Sequence, residues 1–297
     1  MRVRNVAVFL VLGFIWGSEW LATQAIEMPP LRSLAIRYAV AALILGGVIA
    51  VCRIRLPRRR QLLATAVSGI TFAALPAILA VWATERISPG LLVVVLAMTP
   101  LIAALLEGRA EGVWLAPLIG GVGGTALLAS QALSFSLSQW AGGAAALLAA
   151  VFVAGSVVYV KRQLSDVQPV VIAGIQLAMA ATCVALASLV VEGRFDLSLT
   201  RNSAVLEFSL AILGSALAYP LYYWLLWKME SYQITSWQWI ATVAGVAEGL
   251  ILVHAAPSWR ILAGAATILL SLVALLKTGP DDEASLSIRS TTSFSRR

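Results

Sequence analysis

Three ionisable residues interrupt long apolar stretches of the chain, and they are the side chains best placed to do chemistry. Glu19, Arg37 and Glu248 each lie in a segment that otherwise carries no charge. A carboxylate can bind a proton or an ammonium group, and a guanidinium can bind a carboxylate. Charges in apolar surroundings are costly, so such residues indicate a functional site or a paired structural one.

Two interpretations of these charges stay open. Glu19 and Arg37 could form a fixed ion pair between neighbouring helices, or Arg37 could extend alone to the nearest interface. Alternatively, Glu19 or Glu248 binds a proton and a substrate's ammonium group in turn, each ligand replacing the other. We expect Glu85 and Glu207, at the ends of predicted helices, to be solvated.

Aromatic residues accompany these charges at helical spacing. Trp16, Glu19 and Trp20 share one helix face, and Tyr219, Tyr222 and Tyr223 form a similar face beside Pro220. Indoles and phenols suit a polar cavity better than lipid, so both faces are predicted to line one, with Trp82 and Tyr159 as further candidates. Ordinary helix packing is the alternative for each. Belt or packing roles near the membrane interfaces are expected for Trp114, Trp237, Trp239 and Trp259.

The composition shows which elements must position these residues. The chain has 297 residues, of which 60% are hydrophobic and 12% charged, and its mean hydropathy is +0.91. These values exclude a soluble enzyme and predict an all-α integral membrane protein. Ten transmembrane helices are predicted, at 5–26, 33–52, 61–85, 89–107, 113–130, 139–160, 168–191, 205–228, 233–253 and 260–277.

The positive charges predict the orientation. With the amino terminus inside, most of the 21 lysines and arginines lie in inner loops and tails, notably between Arg53 and Arg60. Both termini are therefore expected in the cytoplasm of a bacterial cell, with the chain in the inner membrane. The net charge of +7 sets topology rather than binding nucleic acid. The first apolar stretch is interpreted as a retained helix rather than a signal peptide, and residues 278–297 as a disordered cytoplasmic tail.

Cofactor and metal chemistry find no support in the sequence. The single histidine, His254, lies at a predicted helix end, and the two cysteines have no metal-ligand spacing. No phosphate-binding loop of the P-loop kind is present. The sequence thus predicts no enzyme activity, no cofactor, no metal and no ATP-driven pump.

The chain contains a weak internal repeat. Pro30 and Arg37 are matched by Pro169 and Gln176, and Gly69 and Pro76 by Gly214 and Pro220. The repeat predicts one five-helix unit at 1–130, a periplasmic linker at 131–138 and a second unit at 139–277. Because five is odd, the second unit would enter the membrane from the opposite side, giving two inverted repeats as in many secondary transporters. The prolines predicted as hinges are Pro76, Pro100 and Pro220.

Several short strings resemble a known family. They are the segment from Phe14 to Ser18, Ser88-Pro-Gly with Thr99-Pro100, the run from Gly142 to Ala150, and the segment from Gly214 to Tyr219. They are similar to the drug/metabolite transporter superfamily, in its ten-helix EamA-like branch. The resemblance implies a cytoplasmic-membrane carrier of small metabolites, often an exporter of amino acids.

Together these features predict a secondary active transporter working by alternating access, with small metabolites such as amino acids as substrates and export as the direction. The alternative is a proton-coupled antiporter of cationic drugs. The expected partners are a small-molecule substrate, the lipid bilayer and, in the coupled case, protons. The chain would act as a monomer or a homodimer.

Overall fold

A computed structural model describes residues 3–109, 114–130, 132–133, 136, 139–193, 200–252, 254 and 256–277, apart from the side chain of Trp20. All regular structure in these ranges is helical. The predicted tail at 278–297 lies outside the described residues, and so does most of the predicted linker at 131–138.

Eleven helices make up the described chain. They are α1 (Val3–Gln24), α2 (Pro30–Val51), α3 (Arg59–Thr84), α4 (Pro89–Glu107), α5 (Leu115–Leu128), α6 (Trp140–Gln163), α7 (Pro169–Val191), α8 (Arg201–Leu226), α9 (Ser231–Thr235), α10 (Trp237–Leu252) and α11 (Trp259–Lys277).

Each predicted segment coincides with helix, and the chain is a multi-pass membrane protein. Eight of the helices are long and apolar enough to cross a membrane. The other two predicted spans correspond to α5, which has 14 residues, and to α9 with α10, which are separated at Ser236. The count of ten membrane crossings therefore stays a prediction.

Prolines coincide with irregular stretches of three helices. The α-helical pattern of α3 widens to a π-helix at Ile70–Ala74, and that of α8 widens at Leu210–Leu217. Pro76 and Pro220 follow these stretches. Because proline has no backbone N–H to donate, it disrupts the regular hydrogen-bond ladder of the preceding turn. Pro100 follows the turn that interrupts α4 at residues 97–98. All three predicted hinges thus lie where the helix is distorted.

Equivalent helices of the two halves pack against each other. The carboxylate of Glu192, at the end of α7, accepts hydrogen bonds from the backbone N–H groups of Leu31 and Arg32 at 2.8 and 2.9 Å. Gly174, near the start of α7, faces Ile49 near the end of α2. The two helices therefore run in opposite directions. The helix α1 packs on α10, and α6 packs on α4. In the predicted repeat α6 is the equivalent of α1 and α4 is the equivalent of α10, so the two contacts are also equivalent.

Small residues allow the closest helix contacts. A Cβ at Gly124 of α5 would lie 3.0 Å from the carbonyl oxygen of Gly264 in α11. Glycines thus let α5 and α11 approach each other closely. In the same way, Gly17 of α1 leaves room for the backbone of Ala241 in α10.

Candidate functional site

A small polar cavity lies between the two halves. Its volume is about 200 Å³, and α1, α2, α3, α6, α8 and α10 all contribute to its wall. The lining residues are Trp16, Glu19, Leu34, Arg37, Tyr38, Phe72, Val153, Gly214, Ser215, Tyr219, Trp237 and Gln238. Both π-helical stretches reach it, through Phe72 in α3 and through Gly214 and Ser215 in α8. Such stretches often occur at functional sites, because they turn side chains and carbonyls out of the regular ladder.

Arg37 is the centre of a charged cluster, which comprises Glu19, Thr23, Ser33, Arg37 and Glu207. The guanidinium donates to Glu19 Oε2 at 3.4 Å and to Thr23 Oγ1 at 3.1 Å, and its Nε lies 3.8 Å from Glu207 Oε1. The hydroxyl of Ser33 donates to the second oxygen of Glu207 at 2.7 Å. Three helices, α1, α2 and α8, thus combine to hold one buried cation between two acids.

The two acids of the charged cluster differ in exposure. The side chain of Glu207 is 2% exposed, whereas that of Glu19 is 22% exposed and borders the cavity. Glu207 can therefore neutralise Arg37 permanently, and Glu19 is the acid that a ligand can reach.

Aromatic rings cover the cavity beside these charges. The indole of Trp16 lies 4.3 Å from that of Trp237 and 5.9 Å from the ring of Tyr219, measured between ring centroids. The hydroxyl of Tyr219 donates to that of Tyr38 at 3.2 Å. A ligand beside Glu19 would therefore meet π faces that favour both cations and apolar groups.

Gly214 is required for this arrangement. A Cβ at this position would overlap Glu19 Oε1, so only glycine lets the carboxylate lie against α8. The carbonyl oxygen of Gly214 also accepts a hydrogen bond from Trp16 Nε1 at 2.9 Å. Its place in a π-helical stretch explains why this carbonyl is available to a side chain.

A second polar group, the neutral cluster, comprises Ser68, Gln176 and Tyr223. The amide of Gln176 donates to Ser68 Oγ at 2.8 Å and accepts a hydrogen bond from the hydroxyl of Tyr223. All three side chains are buried, and none lines the cavity. These bonds tie α7 to α3 and α8.

The structure brings together four of the residues predicted to bind substrate. Trp16, Glu19, Arg37 and Tyr219 line the cavity, whereas Tyr222 and Tyr223 are buried behind Tyr219. The side chain of Trp20 lies outside the described residues.

Two predicted residues lie elsewhere. Trp82 is largely exposed and lies under Arg86, whose guanidinium carbon is 3.7 Å from the ring centroid. Tyr159 is also exposed, on α6. Helical spacing alone does not determine how α3 or α6 is rotated about its axis, so neither position could be excluded from the sequence.

Glu248, the other candidate for binding a proton or an ammonium group, does not line the cavity. The second acid beside Arg37 is Glu207, and Glu248 instead accepts a hydrogen bond from Ser18 at 2.5 Å. Ser18 and Glu19 are consecutive, so their side chains leave α1 on different faces. Glu248 therefore lies outside the cavity.

Glu207 corrects a second expectation, because it is buried and paired rather than solvated. The helix α8 begins at Arg201, four residues before the predicted start, and this places Glu207 inside it. Thr200 caps the helix by accepting a hydrogen bond from the backbone N–H of Ser203. That N-cap residue was the signal that could have revealed the longer helix. Glu85 is exposed, as predicted.

Of the four tryptophans expected in belt or packing roles, three are internal. Trp239 is fully buried and donates to the carbonyl oxygen of Ala97 at 3.0 Å, Trp114 packs against Tyr232, and Trp237 lines the cavity. Trp259 alone of the four is largely exposed. The break at Ser236 reorients the start of α10, which a continuous predicted helix did not anticipate.

Among the described residues, no three His, Cys, Asp or Glu side chains are grouped closely enough to hold a metal ion. The chemistry available at the cavity is therefore that of ion pairing, hydrogen bonding and aromatic contact.

Comparison with known proteins agrees with this architecture. Residues 4–134 and 140–277 each match the EamA-like transporter family. A solved crystal structure, whose title gives no function, superposes with a TM-score of 0.78 at 18% identity, covering 93% of this chain and 99% of the other. No curated protein shows a significant match. The two matches in succession cover nearly all of the sequence, and the chain therefore belongs to the EamA-like transporter family, whose members are membrane transporters.

Proposed function

We propose that this protein is a secondary active exporter of small zwitterionic metabolites, with amino acids as the substrate class. The observation that carries this proposal is the pairing of Glu19 with Arg37 on the wall of a small aromatic cavity. A cation and an anion at one site match the two charges of an amino acid.

The distances suggest how a substrate would bind. The contact between Arg37 and Glu19 is long, at 3.4 Å, so a substrate carboxylate can compete for the guanidinium. The released Glu19 then accepts the substrate's ammonium group. The substrate side chain would lie against Trp16 and Tyr219, which favours aromatic and other apolar amino acids.

The cavity volume favours metabolites over drugs. Sites for drug-sized ligands usually enclose about 300–1,000 Å³, and this cavity encloses about 200 Å³. The alternative function, a proton-coupled antiporter of cationic drugs, draws its support from Glu19 alone. A drug cation would need the carboxylate and the aromatic rings but not Arg37.

The transport mechanism would be alternating access between two inverted repeats. The opposite directions of α2 and α7 support inversion, and the distorted stretches at Pro76 and Pro220 supply equivalent places to bend. At the end of the bundle remote from Glu192, Lys161 Nζ contacts Glu230 at 2.5 Å, which offers a closure there. We place both termini in the cytoplasm of a bacterial cell, with the protein in the inner membrane as a monomer or homodimer, because of the inner loops' positive charge.

Counterflow into proteoliposomes tests the substrate class. Vesicles containing the protein and an unlabelled amino-acid mixture should accumulate labelled phenylalanine or leucine. Phenethylamine, which lacks the carboxylate, and phenylpropionate, which lacks the amine, should compete poorly, because each satisfies only one charge of the site. Equal competition by phenethylamine would instead favour the cationic-drug alternative.

Variants connect that activity to the cavity. Glu19→Gln should lower counterflow by at least about tenfold, since a charge-assisted hydrogen bond to the substrate ammonium becomes a neutral one. Glu85→Gln is the matched control, because Glu85 is an exposed acid in the same half of the chain. Unchanged counterflow in Glu19→Gln would contradict the proposed site.

An imposed pH gradient tests proton coupling separately. If Glu19 carries the proton, wild-type uptake should respond to the gradient, whereas residual uptake in Glu19→Gln should not. Glu248→Gln should behave as wild type, because Glu248 lies outside the cavity and pairs with Ser18. A gradient response that survives in Glu19→Gln but is lost in Glu248→Gln would reassign coupling to Glu248.

A further inference from the structure

A second, larger concavity lies on the outside of the helix bundle. This groove has a volume of about 630 Å³ and runs between α1, α2, α7 and α8. Its wall is almost entirely apolar, with Val8, Leu45, Val48, Leu217 and Leu221 as typical members. Val48 and Leu217 are 40% and 46% exposed, so the groove opens to the surroundings of the protein, which in a membrane are acyl chains.

The groove has a positively charged end. Arg4 and Lys228 both lie against the indole of Trp224, at 5.5 and 4.7 Å from the ring centroid. Arg4 and Trp224 belong to the lining itself. Within the described ranges, neither cation forms an ion pair with a carboxylate. The two positive charges therefore reinforce each other and favour an anion at this end of the groove.

We propose that the groove binds an anionic phospholipid. The apolar wall takes one acyl chain, and Arg4 and Lys228 bind the phosphate, with Trp224 at the level of the glycerol backbone. A tryptophan between charge and hydrocarbon suits the membrane interface, where its ring is amphipathic. Basic pockets between helices are a recognised form of lipid site.

The position of the groove next to a basic loop supports an anionic phospholipid as its occupant. Leu45 and Val48 lie in the last two turns of α2, which leads directly into the basic loop from Arg53 to Arg60. The charged end of the groove and this loop thus face the same side of the membrane. A polar or zwitterionic ligand would gain nothing from this additional positive field.

Native mass spectrometry of the purified full-length protein tests the site. In detergent with equal amounts of phosphatidylglycerol and phosphatidylcholine, the wild type should retain phosphatidylglycerol preferentially. Removing both cations in Arg4→Gln/Lys228→Gln should weaken phosphatidylglycerol binding by about 25-fold, roughly fivefold for each charge, and weaken phosphatidylcholine much less, because the choline cation already offsets its phosphate. Equal retention of phosphatidylglycerol by this variant and the wild type would overturn the proposal.

Two further variants separate the groove from general charge. Val48→Phe fills the groove without changing its charge and should weaken both lipids alike. Arg86→Gln removes a cation that also covers a tryptophan, but one paired with Glu85 and away from the groove, so it should leave lipid binding unchanged. A loss in Arg86→Gln as large as in the double variant, or none in Val48→Phe, would show that the groove is not the site. A normal elution volume on size exclusion establishes that each variant is folded.

Discussion

Arg37 and Gln176 occupy equivalent positions in the two halves, and their surroundings differ in kind. Each follows the proline at the start of its helix by seven residues, and they are 139 positions apart. Arg37 is held between two acids and borders a cavity, whereas Gln176 is completely buried between a serine and a tyrosine. The same place in the repeat thus holds a charge that a ligand can reach in one half and a closed neutral network in the other.

The difference shows how a repeated fold divides two tasks. A buried charge needs partners from several helices, so the charged cluster constrains α1, α2 and α8 together. A glutamine needs only neutral hydrogen bonds, which hold α3, α7 and α8 firmly without requiring solvent or ligand. We infer that the charged cluster serves binding and the neutral cluster serves packing.

The largest expected effect comes from removing the cation of the charged cluster. Arg37→Gln leaves Glu207 buried without its cation, and we expect a loss of about 3–5 kcal/mol in the free energy of unfolding. Reversible unfolding in sodium dodecyl sulfate, followed by tryptophan fluorescence, measures this loss. Arg37→Gln/Glu207→Gln should recover most of the stability while counterflow stays absent. Two additive losses would mean that the residues are not coupled.

An intermediate effect should separate the two equivalent glycines. Gly69→Ala places a Cβ 2.7 Å from the backbone of Gln176, which cannot move easily, so about 1–3 kcal/mol of stability should be lost. Gly214→Ala meets only the flexible end of Glu19, so stability should change by less than about 1 kcal/mol while substrate affinity falls. Gly143→Ala, which meets no atom within 4 Å, is the control for both. Equal effects at Gly69 and Gly214 would remove the proposed division of tasks.

The smallest effect should come from the neutral cluster itself. Tyr223→Phe removes the hydroxyl that Gln176 accepts from, and about 1–2 kcal/mol of stability should be lost with counterflow retained. The neighbouring Tyr222→Phe is a matched control, because the buried Tyr222 hydroxyl has no hydrogen-bond partner within the described part of the chain. The same unfolding measurement should therefore show no loss in that variant. Loss of counterflow in Tyr223→Phe at normal stability would place the neutral cluster in the transport mechanism.

Much of the fold could be predicted from hydropathy, because a membrane requires long apolar helices. Each predicted segment proved helical, and of the alternatives left open for Glu19 and Arg37 the structure contains the ion pair. The predicted start of α8 was only four residues too late, but the consequence for the site was large. The prediction left Glu207 at a solvated helix end, whereas in the structure it belongs to the cluster around Arg37.

The remainder of the site depends on how helices rotate and cross. Glu248 and Glu19 are both acids within apolar helices, and the sequence alone does not say which of them faces Arg37. Trp237 lines the cavity at the start of α10, directly after the break at Ser236, and Trp82 lies on an exposed side of α3. Such contacts are tertiary, and no periodicity within a single segment encodes them.

The cap that Glu192 provides to α2 makes the two halves unequal at their junction. The position equivalent to Glu192 in the first half, again 139 residues earlier, is Arg53. An arginine is a poor partner for the positive end of a helix, and Gln168, the N-cap residue of α7, makes no capping hydrogen bond with its side chain. Two copies of the first half could not reproduce this junction with each other. The junction between α2 and α7 thus depends on a carboxylate that only the second half supplies at this position.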